Sequence, residues 1–177
     1  MQKVLIYNQT IKQHKVFEFS NPGENTEILG IVLGSGREHF DLKIDAVHTA
    51  PLTTCRTDFR IILQDKSSCT LKGVIRIAKN THQVDAFLNI KSLLLSETAS
   101  VVTEPSLEIE ANDVKASHSA SVGQVDSQQV LYLNSRGLTR RQAETLILEG
   151  FLTEIVEKIK DARMKKDIEE KIRIFLS

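Results

Sequence analysis

DVKASHSASVGQVD (residues 113–126), followed by YLNSRGLTRRQAETLILEGF (residues 132–151), is the stretch on which the fold turns. Its first half alternates: Val114, Ala116, His118 and Ala120 share one face of an extended strand, with Lys115, Ser117 and Ser119 on the other. After Gly123 the period changes. Asp126 is a good helix N-cap, with Gln129 placed to reach back to it; Val130, Leu131 and Leu133 add apolar contact, and Gly137 is a C-terminal stop. Thr139 and Gln142 repeat the capping-box spacing. From there Ala143, Leu146, Ile147, Phe151, Ile155 and Ile159 predict one apolar helix face, and Met164, Ile168, Ile172 and Phe175 a matching stripe on a last helix. Gly150 lies within the long helix, where Gly costs about 1 kcal/mol relative to Ala, so it marks a close helix approach or a break. The expected organisation is a β-body over residues 1–125 and a small helical domain over residues 126–177.

Upstream, the pattern is strand after strand. VLIY (4–7), VFEF (16–19), ILGIVL (28–33), FDLKI (40–44) and DFRIIL (58–63) are short apolar or alternating runs. TLKGVIRI, DAFLNI, SLLL, SVV and SLEIEA continue the series up to the His118 strand. No convincing amphipathic helix separates them, which argues against a doubly wound α/β fold with helical crossovers. An antiparallel sandwich and a solenoid of stacked coils both remain open on pattern alone. No hexapeptide period is visible, which weakens the acyltransferase type of solenoid.

Composition narrows the function classes. The chain has 177 residues, 41% of them hydrophobic but only 5% aromatic and none Trp, so Ile, Leu and Val must build the core. Lys plus Arg and Asp plus Glu each number 23, so no global field steers it to nucleic acid or an anionic membrane. Arg140–Arg141 and Lys165–Lys166 read as solvated helix faces. No apolar run approaches the ~20 residues that span a bilayer, so no membrane insertion is expected. MQKVLIYNQT lacks the features of a signal peptide, and a cytoplasmic location is the expectation. Cys55 and Cys69 fit no metal-knuckle spacing and read as packed free thiols.

Candidate chemistry is sparse. His118 among small apolar neighbours suits a metal or cluster ligand, or equally a satisfied core or interface histidine. His39, Asp41 and His48 contain the residue types of a 2-His–carboxylate group, but the odd offset between the histidines gives no geometric support. Cys69 and His82 also lack a metal-site spacing. No GxSxG, GxxxxGK[ST] or strand-linked GxGxxG motif is present, and Gly34-Ser35-Gly36 reads as a turn. These absences lean toward a binding or assembly protein over an enzyme.

Several ordered fragments resemble the SufB/SufD family of iron–sulfur cluster assembly scaffolds. They are GSGREHFD (34–41), VHTAP (47–51), LKGVIRIAKNTHQVDA (71–86), SLLLSETA (92–99), EPSLEIEANDVKASHSASVGQVD (104–126), SRGL (135–138) and EGF (149–151). The resemblance implies a mainly β chain: a right-handed parallel β-helix followed by a small C-terminal α-helical domain. It also implies a scaffold that pairs with a SufB-like subunit, docks a SufC-type ABC ATPase and is not itself an enzyme. ATP would be handled only by that ATPase, and a transient iron–sulfur cluster would be shared with the partner.

ASHSASVGQVD is closer to the SufD pattern SHGATVGQLD than to the HEATTS of SufB. His118 thereby matches a SufD interface histidine proposed as a cluster ligand. Ser119 stands where SufB carries a glutamate, and Ile90 near SufB's sulfur-accepting cysteine, so this chain is not expected to accept persulfide sulfur. Ala116 replaces a cysteine common in SufD proteins. The resemblance assigns partner contacts to Leu131, Arg136, Gly137, Leu146, Glu149, Gly150 and Phe151. The family's N-terminal helical region is missing or much reduced, which suggests a minimal member acting with a similarly short partner; a homodimer is a further option. Two alternatives stand: a β-solenoid acyltransferase-like enzyme using His118 as general base, and a purely structural subunit.

Overall fold

In the computed structural model, which describes residues 1–176, nine strands precede three helices. The strands are β1 (Gln2–Tyr7), β2 (Ile11–Phe19), β3 (Asn25–Gly34), β4 (His39–His48), β5 (Thr54–Leu63), β6 (Ser68–Ile77), β7 (Val84–Leu94), β8 (Ser100–Ile109) and β9 (Val114–Gln124). The helices are α1 (Ser127–Ser135), α2 (Arg140–Val156) and α3 (Ala162–Leu176). Odd strands form one sheet in the order β1-β3-β5-β7-β9, and even strands a second in the order β2-β4-β6-β8. Every pairing is parallel. Parallel neighbours need a crossover, and here the crossover is a strand of the opposite sheet rather than a helix. The result is a flattened β-solenoid of about four turns, which settles the choice between sandwich and solenoid. One full circuit carries the chain from Val84 to its register partner Val114.

Two pairs of expected strands fuse. DAFLNI and SLLL are one strand, β7, and SVV and SLEIEA are one strand, β8, running through Pro105. Proline lacks the ladder N–H, so it is tolerated in β8 because that strand ends its sheet.

Between the sheets, inward side chains fill a dry core that includes Phe40, Leu42, Phe59, Ile61, Leu71, Leu88 and Ile90. The lumen is so narrow that large side chains need glycine neighbours. A Cβ on Gly30 would overlap the Phe59 ring of the next coil, and one on Gly73 would lie 2.5 Å from Leu88 Cδ2.

A second core lies outside the odd-strand sheet. Leu29, Ile31, Leu33 and Ile62 pack there against Leu148, Leu152, Ile155, Val156, Ile159, Ile168 and Ile172. The helices therefore share an apolar cluster with the β-body. The link between α2 and α3 reaches the first strand, where Gln2 donates to the Lys158 carbonyl and accepts from the Lys160 amide.

The helix faces differ from expectation. Leu146 is 48% exposed, and the buried side of α2 is Ala143, Leu148, Leu152, Ile155 and Val156. The run Leu146-Ile147-Leu148 offers apolar residues to either side, and contact with the sheet selects Leu148. On α3, Ile168 and Ile172 are buried but Met164 is 41% exposed. The caps follow the sequence: Asp126 accepts from the Gln128 amide, and Thr139 and Gln142 form a complete capping box. Gly137, at φ +96°, ends α1 as a glycine can. Among the described residues no helix is long and apolar enough to cross a membrane.

Candidate functional site at the open end of the solenoid

Stacking ends at β8 and β9, the last strands of their sheets. Each interior strand has neighbours on both sides, whereas these two leave half their backbone donors and acceptors without a ladder partner. His118 sits on this edge. Its column runs Ile28, Thr57, Leu88, His118 through successive coils, and the first three are buried, with Leu88 only 3% exposed. His118 occupies the same inward-facing position but has no coil above it, so its imidazole is exposed. Among the described residues it has no hydrogen-bond or ion-pair partner. Its neighbours in the mouth are Ala116, which is half-buried against the core, and Ala120. An exposed imidazole with both nitrogens available, on a strand edge, is suited to bind a soft or borderline metal or to meet a partner.

The other candidate ligands do not join it. His39 Nδ1 lies 2.8 Å from Ser68 Oγ on the exterior, and Asp41 is ion-paired with Lys12 at 2.9 Å. His48 points the opposite way, into the core, stacked on Phe19 with ring centroids 4.3 Å apart. The Thr53 hydroxyl donates to the Ala50 carbonyl, so His48 Nδ1–H must donate to Thr53 Oγ1. That leaves His48 Nε2 as a buried lone pair without a partner. Protonation there would bury an unpaired cation, and burial depresses the His48 pKa to about 4. Cys55 and Cys69 are free and buried, and burial pushes their thiols up to about 11 and about 12. Neither is a poised nucleophile. Ile90 is fully buried in the lumen. Among the described residues no group of three or more His, Cys, Asp or Glu side chains is arranged to hold a metal ion.

The residues assigned to partner contacts fall into two sets. Leu131 is 69% exposed and Leu146 48%, and Tyr132 is also exposed, with the Arg136 guanidinium 5.2 Å above its ring. Gly137 turns the chain after α1; Glu149 is exposed, and Gly150 faces open space. Phe151 does not belong with them. It is half-buried against the helix–sheet core, with Arg60 5.5 Å over its ring. Helix geometry explains the split, since Phe151 lies on the same side as Leu148 and Leu152.

One arrangement was not legible in the sequence. Asp58, Asn89 and Ser119 are register neighbours on the outer face of β5, β7 and β9. Ser119 Oγ donates to Asn89 Oδ1 at 2.7 Å, and Asn89 Nδ2 donates to Asp58 Oδ1 at 3.0 Å. Asp58 also accepts from Arg60 and, at 2.7 Å, from Lys158. Arg60, only 2% exposed, donates onward to Glu154 of α2 at 2.8 Å, and Lys91 joins that carboxylate at 3.2 Å. These bonds, Arg60's first, hold the Glu154 carboxyl below the usual carboxylate range.

The family model "SUF system FeS cluster assembly, SufBD core domain" matches residues 3–151. The chain belongs to the SufBD core family. The matched region takes in all of the solenoid but its first strand residue, α1 and most of α2, and stops before α3. The SufD protein of Escherichia coli (strain K12) is 32% identical over 148 residues, which is 82% of this chain and 35% of that protein. SufD of Bacillus subtilis (strain 168) is 31% identical over 138 residues, 78% of this chain and 32% of that protein. An iron-sulfur cluster assembly SufBD family protein of Mycobacterium tuberculosis (strain ATCC 25618 / H37Rv) is 27% identical over 164 residues, 88% and 41% respectively. This SufBD core thus spans about a third of the length of the SufD relatives it matches.

Proposed function

We propose that this SufBD core protein is a SufD-like scaffold subunit on which an iron–sulfur cluster is assembled together with a SufB-like partner. The observation that carries the reading is the placement of His118: an unpartnered imidazole in a lumen-facing column, at the C-terminal end of the solenoid, where β8 and β9 present open edges. Such an edge fits a partner that offers its own strand edge, since main-chain hydrogen bonds across the seam would satisfy both. The seam would close over His118, leaving it to ligate the nascent cluster as cargo shared between the subunits. Ile90, buried and without a thiol, leaves sulfur delivery to the partner.

The exposed residues Leu131, Tyr132, Arg136, Gly137, Leu146, Glu149 and Gly150 of α1, α2 and their connection are the proposed contacts for a SufC-type ABC ATPase, which alone would hydrolyse ATP. A general-base role for His118 has less support, because among the described residues no carboxylate is hydrogen-bonded to orient it. The test is anaerobic co-expression with SufB-like and SufC-like proteins, followed by affinity purification of this chain. Recovery of both in stoichiometric amounts is expected. A lone homo-oligomer, with folded partners left unbound, would overturn the scaffold reading.

A further inference from the structure

The polar ladder on the outer face of the odd-strand sheet connects the helical region to the strand that carries His118. It starts at Glu154 on α2, passes through Arg60 and Asp58 on β5 and Asn89 on β7, and ends at Ser119 on β9. Each link is a direct hydrogen bond with a defined donor. Ser119 gives its proton to Asn89, Asn89 gives its amide proton to Asp58, and Arg60 bridges Asp58 and Glu154. Lys158, in the turn that follows α2, fastens the end of that helix to Asp58 a second time. The register partner of Asp58 on β3 is Leu29, so in this row the outer face changes from apolar to polar at β5.

Position makes the arrangement consequential. As the last strand of its sheet, β9 has ladder bonds to β7 alone, and local opening is easiest at such an edge. Ser119 adds a side-chain tie on the outer face, next to the residue whose side chain faces the mouth. We propose that Glu154 is a positioning residue: through Arg60, Asp58 and Asn89 it sets how firmly β9 is held at Ser119, and so the lay of His118. A partner that moves α2 then loosens or tightens the edge strand without touching it. This rests on the scaffold reading for its use, but the coupling itself is a property of the isolated chain.

Amide hydrogen exchange on the whole chain, with no partner, iron or nucleotide present, reads it directly. Glu154→Gln is expected to accelerate exchange of the β9 amides bonded to β7 by roughly threefold to tenfold, while β3 and β5 stay close to the parent. Glu144→Gln, on the same helix but paired with Arg140 outside the ladder, is expected to leave β9 unchanged. Ser119→Ala should accelerate β9 by itself, and adding Glu154→Gln to it should give little further change, because the last link is already gone. Ser119→Thr, which keeps the hydroxyl, should restore the coupling. Equal acceleration in all strands on Glu154→Gln, or full additivity with Ser119→Ala, would overturn the proposal. Because no cluster is involved, that failure would be distinct from failure of the scaffold reading.

Discussion

Leu88 and His118 occupy the same inward-facing column one coil apart, yet one is sealed in the core and the other is open to solvent. The difference is the presence of a next coil. In the middle of the solenoid each rung covers the one before, so an inward position must be apolar or satisfied. On the last rung the same position becomes a presentation site. His48 sharpens the contrast: it too faces the core, but it is stacked on Phe19, bonded through one nitrogen and blocked at the other. Two inward histidines differ in chemistry because one lies within the stack and the other at its end.

The contrast can be broken by truncating side chains at matched depth. Phe59→Ala, in the middle of the stack, should cost about 3–5 kcal/mol in denaturant unfolding. Val122→Ala on β9, where Val122 is 51% exposed, should stay within about 0.5 kcal/mol. Similar losses at both sites would mean that the last coil is as covered as the middle. Gly30→Ala adds a methyl where the Phe59 ring lies and should cost about 1–3 kcal/mol, measured the same way. No loss there would show that the lumen has slack.

A pH series probes the buried His48. The His48 pKa is lowered on folding, from 6.5 to about 4, so between those values the unfolded chain binds the extra proton. Stability is therefore intact above pH 6.5 and is lost as pH falls toward 4. His48→Gln should make the fall in Tm between pH 6.5 and 4.5 shallower than in the parent; an unchanged slope would remove His48 from the acid response. At the junction, Asp126→Ala deletes the α1 N-cap and should cost about 1 kcal/mol, read as earlier melting of the helical signal. Its failure to do so would mean that contacts elsewhere, not the cap, hold α1.

Much of this architecture could be read from the chain. Alternation located the strands, and Asp126, Gly137, Thr139 and Gln142 marked the helix ends, because those signals are local. The solenoid was not readable from pattern alone, since partners such as Val84 and Val114 lie a full circuit apart and share no recurring motif; the family resemblance pointed to it. Leu146 left the expected apolar face because α2 packs on a sheet, which takes Leu148 and Leu152 together with Phe151. Within DFRIIL, Asp58 and Arg60 alternate like solvent-facing residues, and only the helix laid over them buries both. Of the candidate site, His118 and its strand face were legible, whereas the ladder behind Ser119 depends on contacts between residues such as Arg60 and Glu154, far apart in the chain.

Whether His118 ligates the cluster is read from the iron and acid-labile sulfide bound by the anaerobically purified complex, compared between the parent and His118→Ala. With His118 as a ligand, the variant complex keeps its composition and thermal stability while its bound iron and sulfide fall severalfold. Parent-level iron and sulfide in the variant complex would contradict that role, and would make the open end of the solenoid a joint rather than a site.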